Sequence, residues 1–252
     1  VNALPVPTIA GTSPVCVNST GNVYTTEAGM TNYLWSVTGG TITAGGTAAD
    51  NTVTITWNTA GAQTVSVNYT NANNCTAASA TVKNVTVNPL PVPTITGNAA
   101  ACQNSTGNIY TSEAGMTNYI WSVSAGGTVT AGGTATDNSV TVTWNTVGAQ
   151  TVSVNYNNAN NCTAASATVK NVTVNTLPVP TLAGPTPVCV NSIVNVYSSE
   201  PGMTNYVWSI PAGATVTAGG TPTSNSVTIT WTAVGIQTIS VNYTNTNGCT
   251  AA

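Results

Sequence analysis

The chain repeats itself three times, and this constrains its fold more than any other feature. Leu4-Pro5-Val6-Pro7-Thr8 returns as Leu90-Pro91-Val92-Pro93-Thr94 and as Leu177-Pro178-Val179-Pro180-Thr181. Trp35, Trp121 and Trp208 keep the beat, as do Trp57, Trp144 and Trp231. Cys16, Cys102 and Cys189 form a third series, and Cys75, Cys162 and Cys249 a fourth. Val37-Thr38-Gly39-Gly40 becomes Val123-Ser124-Ala125-Gly126-Gly127 in the second copy. A one-residue change beside Gly-Gly reads as a loop between strands. The fold must therefore be one that roughly 87 residues can complete and that can be strung in series.

The repeat divides the chain into residues 1–2, the end of a preceding unit, and three units at 3–88, 89–175 and 176–252. The third stops before the counterpart of Ser79 to Asn88, so its last strand is expected to be missing. On this reading the sequence is a window on a longer array. The alternative is that another molecule supplies the final strand.

Each unit reads as β throughout. Val53-Thr54-Ile55-Thr56-Trp57 alternates, with Val, Ile and Trp on one face and Thr on the other. Thr64-Val65-Ser66-Val67-Asn68-Tyr69 does the same, and Tyr33-Leu34-Trp35-Ser36-Val37 groups Tyr, Trp and Val. Further strands are expected near 7–11, 21–27, 41–45 and 79–87, separated by Gly and Asn turns. About seven short strands per unit is the pattern of a two-sheet Ig-like sandwich, so the fold class is all-β, a tandem array of such sandwiches. The linker prolines, Pro91, Pro93, Pro178 and Pro180, favour a stiff polyproline-like joint and an extended array.

Composition removes most chemistry. Charged residues are 3% of the 252, with two Lys, five acids, no Arg and no His. The usual general base and commonest metal ligand are missing. A nucleic-acid groove or a polybasic membrane patch cannot be built. No apolar run is long enough to span a bilayer. Serine and threonine abound, but no base recurs beside them. The chain is read as non-enzymatic, with no cofactor and no metal site. Lys83 and Lys170 read as charges that discourage edge pairing; the sharper alternative is a Lys–Asn isopeptide bond assisted by Glu27 or Glu113. Glu27, Glu113 and Glu200, with Asp50 and Asp137, read as solvated loop acids, too few for calcium.

The order Cys16, Tyr24, Tyr33-Leu34-Trp35-Ser36-Val37, Gly39-Gly40, Val53-Thr54-Ile55-Thr56-Trp57, Gly61, Val65-Ser66-Val67, Cys75 recurs in every unit with small changes, such as Gly213-Ala214 for the Gly-Gly pair in the third. This resembles the PKD-like, Ig-like sandwich repeats of large surface and secreted proteins of Bacteroidota. The resemblance implies an extracellular or cell-surface location, export by the type IX route, and a role as spacer, stalk or adhesin array. Where the better-known PKD motif carries an acidic Asp-Gly turn, this chain has Thr38-Gly39-Gly40, so no metal or polysaccharide site is carried over.

Two cysteines per unit, without His or a CxxC motif, point to disulfides rather than metal. The favoured pairing is within units: Cys16–Cys75, Cys102–Cys162 and Cys189–Cys249. The rival staples neighbours through Cys75–Cys102 and Cys162–Cys189. The six tryptophans, Trp35, Trp57, Trp121, Trp144, Trp208 and Trp231, are in phase with Val and Ile and are assigned to the cores. For Tyr24, Tyr110 and Tyr197, the neighbouring Val23 and its counterparts compete for the inner face.

These readings converge on a structural repeat segment, the shaft or stalk of an extracellular filament or giant surface adhesin. The expected partners are neighbouring repeats of the same chain, with lateral self-association. The alternative is an adhesive module that recognises glycans or surfaces through repeated weak contacts.

Overall fold

A computed structural model describes residues 1–251; Ala252, the end of the expected third unit, lies outside the described residues. Unit 1 holds seven strands: β1 Val15–Cys16, β2 Asn22–Thr25, β3 Thr31–Val37, β4 Gly40–Gly45, β5 Thr52–Trp57, β6 Gly61–Thr70 and β7 Thr81–Asn88. Unit 2 repeats them as β8 Ala100–Cys102, β9 Asn108–Thr111, β10 Thr117–Val123, β11 Gly127–Gly132, β12 Ser139–Trp144, β13 Gly148–Asn157 and β14 Thr168–Asn175. Unit 3 has β15 Asn195–Ser198, β16 Thr204–Ser209, β17 Ala214–Gly219, β18 Ser226–Trp231 and β19 Ser240–Thr244.

In unit 1 one sheet runs β1-β7-β6-β3 and the other β2-β5-β4. Every pairing is antiparallel except β1 with β7, where Val15 faces Val87 and Cys16 faces Asn88. Unit 2 reproduces both sheets. The region read as a strand at 7–11 makes one bridge, Ala10 to Thr25. A short extra strand, β1, was hidden from sequence because two residues show no alternation. In unit 3, β19 pairs with β16, and its other edge has no neighbour among the described strands.

The alternating strands bury their apolar face. Val53, Ile55 and Trp57 are each 0% exposed, as are Val65 and Val67 opposite them. Trp57 and Trp144 are fully buried and Trp231 is nearly so; Trp35 is buried, while Trp121 and Trp208 are partly buried against the same clusters. The contest between Tyr24 and Val23 goes to the tyrosine: Tyr24 is 0% exposed and Val23 49%. The phenol can go inside because its oxygen is satisfied there. Trp57 Nε1 donates to it at 3.2 Å, and it donates to the Thr12 carbonyl at 2.8 Å. The ring also explains Gly11. A Cβ at Gly11 would lie 2.2 Å from the Tyr24 ring, so the backbone crosses the tyrosine face only without a side chain. Gly97 and Gly184 meet Tyr110 and Tyr197 in the same way.

Lys83 is directly paired with buried Val65, so it points to the inner side of the sheet, on the half of β7 that β1 does not cover. An inward charge on an uncovered edge is a known guard against edge-to-edge pairing.

Candidate functional site

The residues with the most specific geometry lie where one unit meets the next. Three elements build this joint: a cysteine turn at the lower end of one unit, a cysteine loop at the upper end of the following unit, and the proline linker between them.

The lower cysteine closes the first short strand. Parallel pairing sets Cys16 beside Asn88, the last residue of β7, and the Val17 N–H donates to the Asn88 carbonyl at 2.9 Å. The chain then turns through Asn18, at φ 61°, where Asn tolerates the left-handed region. Cys102 is placed identically beside Asn175.

The upper cysteine sits on a loop organised by one asparagine. Asn158 Oδ1 accepts from the N–H groups of Asn160 and Cys162, each at 3.0 Å, and its Nδ2 donates to the Pro89 carbonyl at 3.3 Å. One side chain therefore shapes the loop and holds the incoming linker. Asn71 and Asn245 repeat these bonds, the linker partners being Ala3 and Thr176. Sequence reading passed over this asparagine because the chain is rich in Asn; its signal is the spacing Asn-x-Asn-[Asn/Gly]-Cys.

The linker is clamped a second time by glutamate. Glu113 accepts from the Thr94 N–H at 3.1 Å, the Thr94 hydroxyl at 2.5 Å, the Ser112 hydroxyl at 2.7 Å and the Tyr156 hydroxyl at 3.0 Å. Glu27 takes the same partners in unit 1, namely Thr8, Thr26 and Tyr69. Glu200 takes Thr181 and Ser199 in unit 3. On its other side Pro93 is buried, and its carbonyl accepts from Thr168 Oγ1 at 2.5 Å. These glutamates are thus not merely solvated loop acids. Asp50 is local: it accepts from the Thr47 N–H and hydroxyl, while its backbone carbonyl accepts from Trp35 Nε1 at 3.0 Å. Because the tryptophan needs only a carbonyl, Ser224 replaces the acid in unit 3 and still receives Trp208 Nε1 at 2.9 Å.

Burial works against the Glu113 carboxylate, but the Thr94 and Ser112 hydroxyls outweigh it and hold the group down at about 2. Glu27 is held at about 2 by the same balance with Thr8 and Thr26. In Glu200 the Ser199 and Thr181 hydroxyls dominate, again to about 2. A carboxyl lowered on folding stabilises the folded state above its unfolded value, near 4.5, and loses that contribution as pH falls through about 2. Carboxyl-carbon NMR titration of the three glutamates is expected to give midpoints near 2; midpoints near 4.5 would show that no clamp forms.

The disulfides complete the joint and correct the expected pairing. Cys16 bonds to Cys162, and Cys102 bonds to Cys249, each pair with Cα atoms 5.6 Å apart. Cys75 and Cys189 are free in this chain. Neither the within-unit scheme nor the Cys75–Cys102 rival occurs. The reason is the direction of the last strand. Cys75 precedes β7 at its Thr81 end, where Thr81 Oγ1 donates to the Pro7 carbonyl, while Cys16 lies at its Asn88 end. Eight residues of strand separate the two ends by about 25 Å, far beyond disulfide reach. The lower end of one unit does adjoin the upper end of the next, and there the bonds form.

The family model described as a PKD-like domain matches residues 2–85, 88–172 and 175–252. The chain belongs to the PKD-like domain family. No curated protein matches it. Among solved structures, the PKD-like chain is similar to the D00-D0 domain of intimin, with 14% identity and TM-score 0.36 over 68% of this chain and all of that one. It is also similar to the Escherichia coli adhesin FdeC, with 17% identity and TM-score 0.34, covering 97% of this chain and 93% of that chain. A third is invasin, a bacterial integrin-binding protein, with 13% identity and TM-score 0.33 over 95% of this chain and 56% of that one. No helix of the described residues is long and apolar enough to cross a membrane.

Proposed function

We propose that these PKD-like units form a shaft segment of an extracellular filament or giant surface adhesin, without enzymatic activity, whose task is to transmit length and tension. The observation that carries this reading is the Cys16–Cys162 bond between two separately cored units. Loop closure inside a unit would stabilise that unit alone. A bond across the linker restrains the angle between units, which matters when the array must act as a rod. The Asn158 and Glu113 contacts support the same reading, since they hold the linker to the upper end of unit 2. Disulfides support an oxidising, extracellular location, and export by the type IX route belongs to the same proposal.

Lateral packing of shafts is part of the proposal. Leu34, Ile120 and Val207 are 70%, 64% and 65% exposed at one recurring position, and so repeat an aliphatic contact point along the array. The adhesive alternative, glycan recognition, would draw support from a recurring exposed aromatic cluster. The exposed large apolar residues among the described residues are instead aliphatic.

Strands of up to ten residues make each unit roughly 35 Å long. Small-angle scattering of the oxidised chain is expected to give a maximum dimension of about 100 Å or more, on the same strand rise. A compact particle with the units folded onto one another would refute the shaft.

A further inference from the structure

The two disulfides overlap along the chain. Cys16–Cys162 spans 146 positions and Cys102–Cys249 spans 147, and both loops contain the stretch from Cys102 to Cys162. Between Cys16 and Cys249 a pull can therefore follow three covalent routes. Two of them use one bond and roughly 87 residues, either from Cys16 to Cys102 or from Cys162 to Cys249. The third uses both bonds and only about 60 residues, from Cys162 back to Cys102. A stretched network tightens along its shortest route, which is the third.

The fold holds both ends of this route in one sheet of unit 2, ordered β10-β13-β14-β8. At the upper end Cys162 is 0% exposed. Its N–H donates to Asn158 Oδ1 and its carbonyl accepts from the Asn158 N–H, each at 3.0 Å, just past the end of β13. At the lower end Cys102 closes β8, which runs parallel to β14, and the Gln103 N–H donates to the Asn175 carbonyl at 2.8 Å. A pull between Cys162 and Cys102 thus runs along the strands and slides β8 against β14. Hydrogen bonds loaded this way share the force instead of opening one at a time. Units 1 and 3 are placed differently. Unit 1 from Val17 onward lies on the slack route from Cys16 to Cys102, and unit 3 up to Cys249 lies on the slack route from Cys162. Opening either core adds nothing to the tight route.

We propose that tension runs through the disulfides and against the direction of the chain, entering unit 2 at Cys162 and leaving it at Cys102, while the cores of units 1 and 3 stay out of the line of force. The bonds thereby set a limit on stretch. With both in place, Cys16 and Cys249 cannot part by more than roughly 200 Å even when every unit is unfolded, against roughly 800 Å without them. The use of this device in a filament rests on the shaft reading, but the route follows from the two bonds alone. A compact particle in scattering would refute the shaft and leave the route standing.

The test stretches single full-length chains from handles at both ends in optical tweezers. All carry Cys75→Ser and Cys189→Ser, so that no free thiol reshuffles the bonds. Peptide mapping comes first, and bonds other than Cys16–Cys162 and Cys102–Cys249 would overturn the proposal at once. The oxidised chain is expected to open in one step, that of unit 2, and to reach about one third of the full length it attains after reduction with dithiothreitol. Adding Cys102→Ser and Cys249→Ser leaves one bond, and the tight route then runs forward from Cys162. That chain should stretch about 1.3-fold further than its oxidised parent. Full length is read on unfolded chain, so this comparison holds even if a variant folds poorly. Two core substitutions then separate loaded from bypassed units. Trp57 and Trp144 are both 0% exposed. Trp144→Ala should lower the force of the step, whereas Trp57→Ala should leave it unchanged. Equal full lengths for the parent and the one-bond chain would overturn the proposal. So would two or more opening steps in the oxidised parent, or equal responses to the two tryptophan substitutions.

Discussion

Joint replacement of Cys16 and Cys162 by serine is expected to loosen unit 2 and free its orientation relative to unit 1. With unit 1 folded, the bond closes a loop of roughly 75 residues, from Asn88 beside Cys16 to Cys162, whenever unit 2 unfolds. On the chain-entropy account this closure is worth about 4 kcal/mol. For a unit of this size, that shifts its midpoint by roughly 15–30 °C. Calorimetry should show one of three overlapping transitions moving down while the others stay near their places. Scattering should show a broader range of distances, since only the linker hydrogen bonds then restrain the angle. An unchanged melting profile together with unchanged scattering would mean that the bond neither stabilises nor orients.

Replacing Trp144 by alanine is expected to remove most of the stability of unit 2. Trp144 is 0% exposed and packs edge-on against Tyr110, with ring centroids 6.2 Å apart. Truncating a buried aromatic of this size costs about 3–5 kcal/mol through lost burial and the cavity left behind. The change also removes the donor at 3.0 Å from the Tyr110 hydroxyl, inside the same core. Trp121→Ala should cost less, because Trp121 is only partly buried. Urea unfolding followed by the remaining tryptophans would show an early transition for the Trp144 variant. Equal losses for the two variants would contradict the ranking by burial.

Much of this architecture was legible from sequence for a physical reason. In Val53-Thr54-Ile55-Thr56-Trp57 the period of two leaves one face apolar, and a strand with one apolar face must bury it against another. Repetition at a constant beat then requires each unit to complete its own core, so the tandem sandwich follows without coordinates. The tyrosines were harder. Whether Tyr24 or Val23 turns inward depends on a partner for the phenol, and Trp57 Nε1 lies 33 positions away in sequence. The glutamates were misjudged for the same reason: Glu27 acts through Thr8, Thr26 and Tyr69, which only folding brings together.

The cysteines mark the boundary between the two kinds of knowledge. Their number and beat point to disulfides, but spacing along a chain measures loop length, not which end of a sandwich a residue occupies. Parallel pairing of β1 with β7 sends Cys16 to the lower end, and the turn before β7 leaves Cys75 at the upper end. Two cysteines of one unit are thus held a strand length apart, while cysteines of neighbouring units meet at 5.6 Å between Cα atoms. The sequence by itself determined that this is a stack of small β-sandwiches with buried tryptophans. Only the tertiary structure, through strand direction, decided that the covalent bonds join one sandwich to the next.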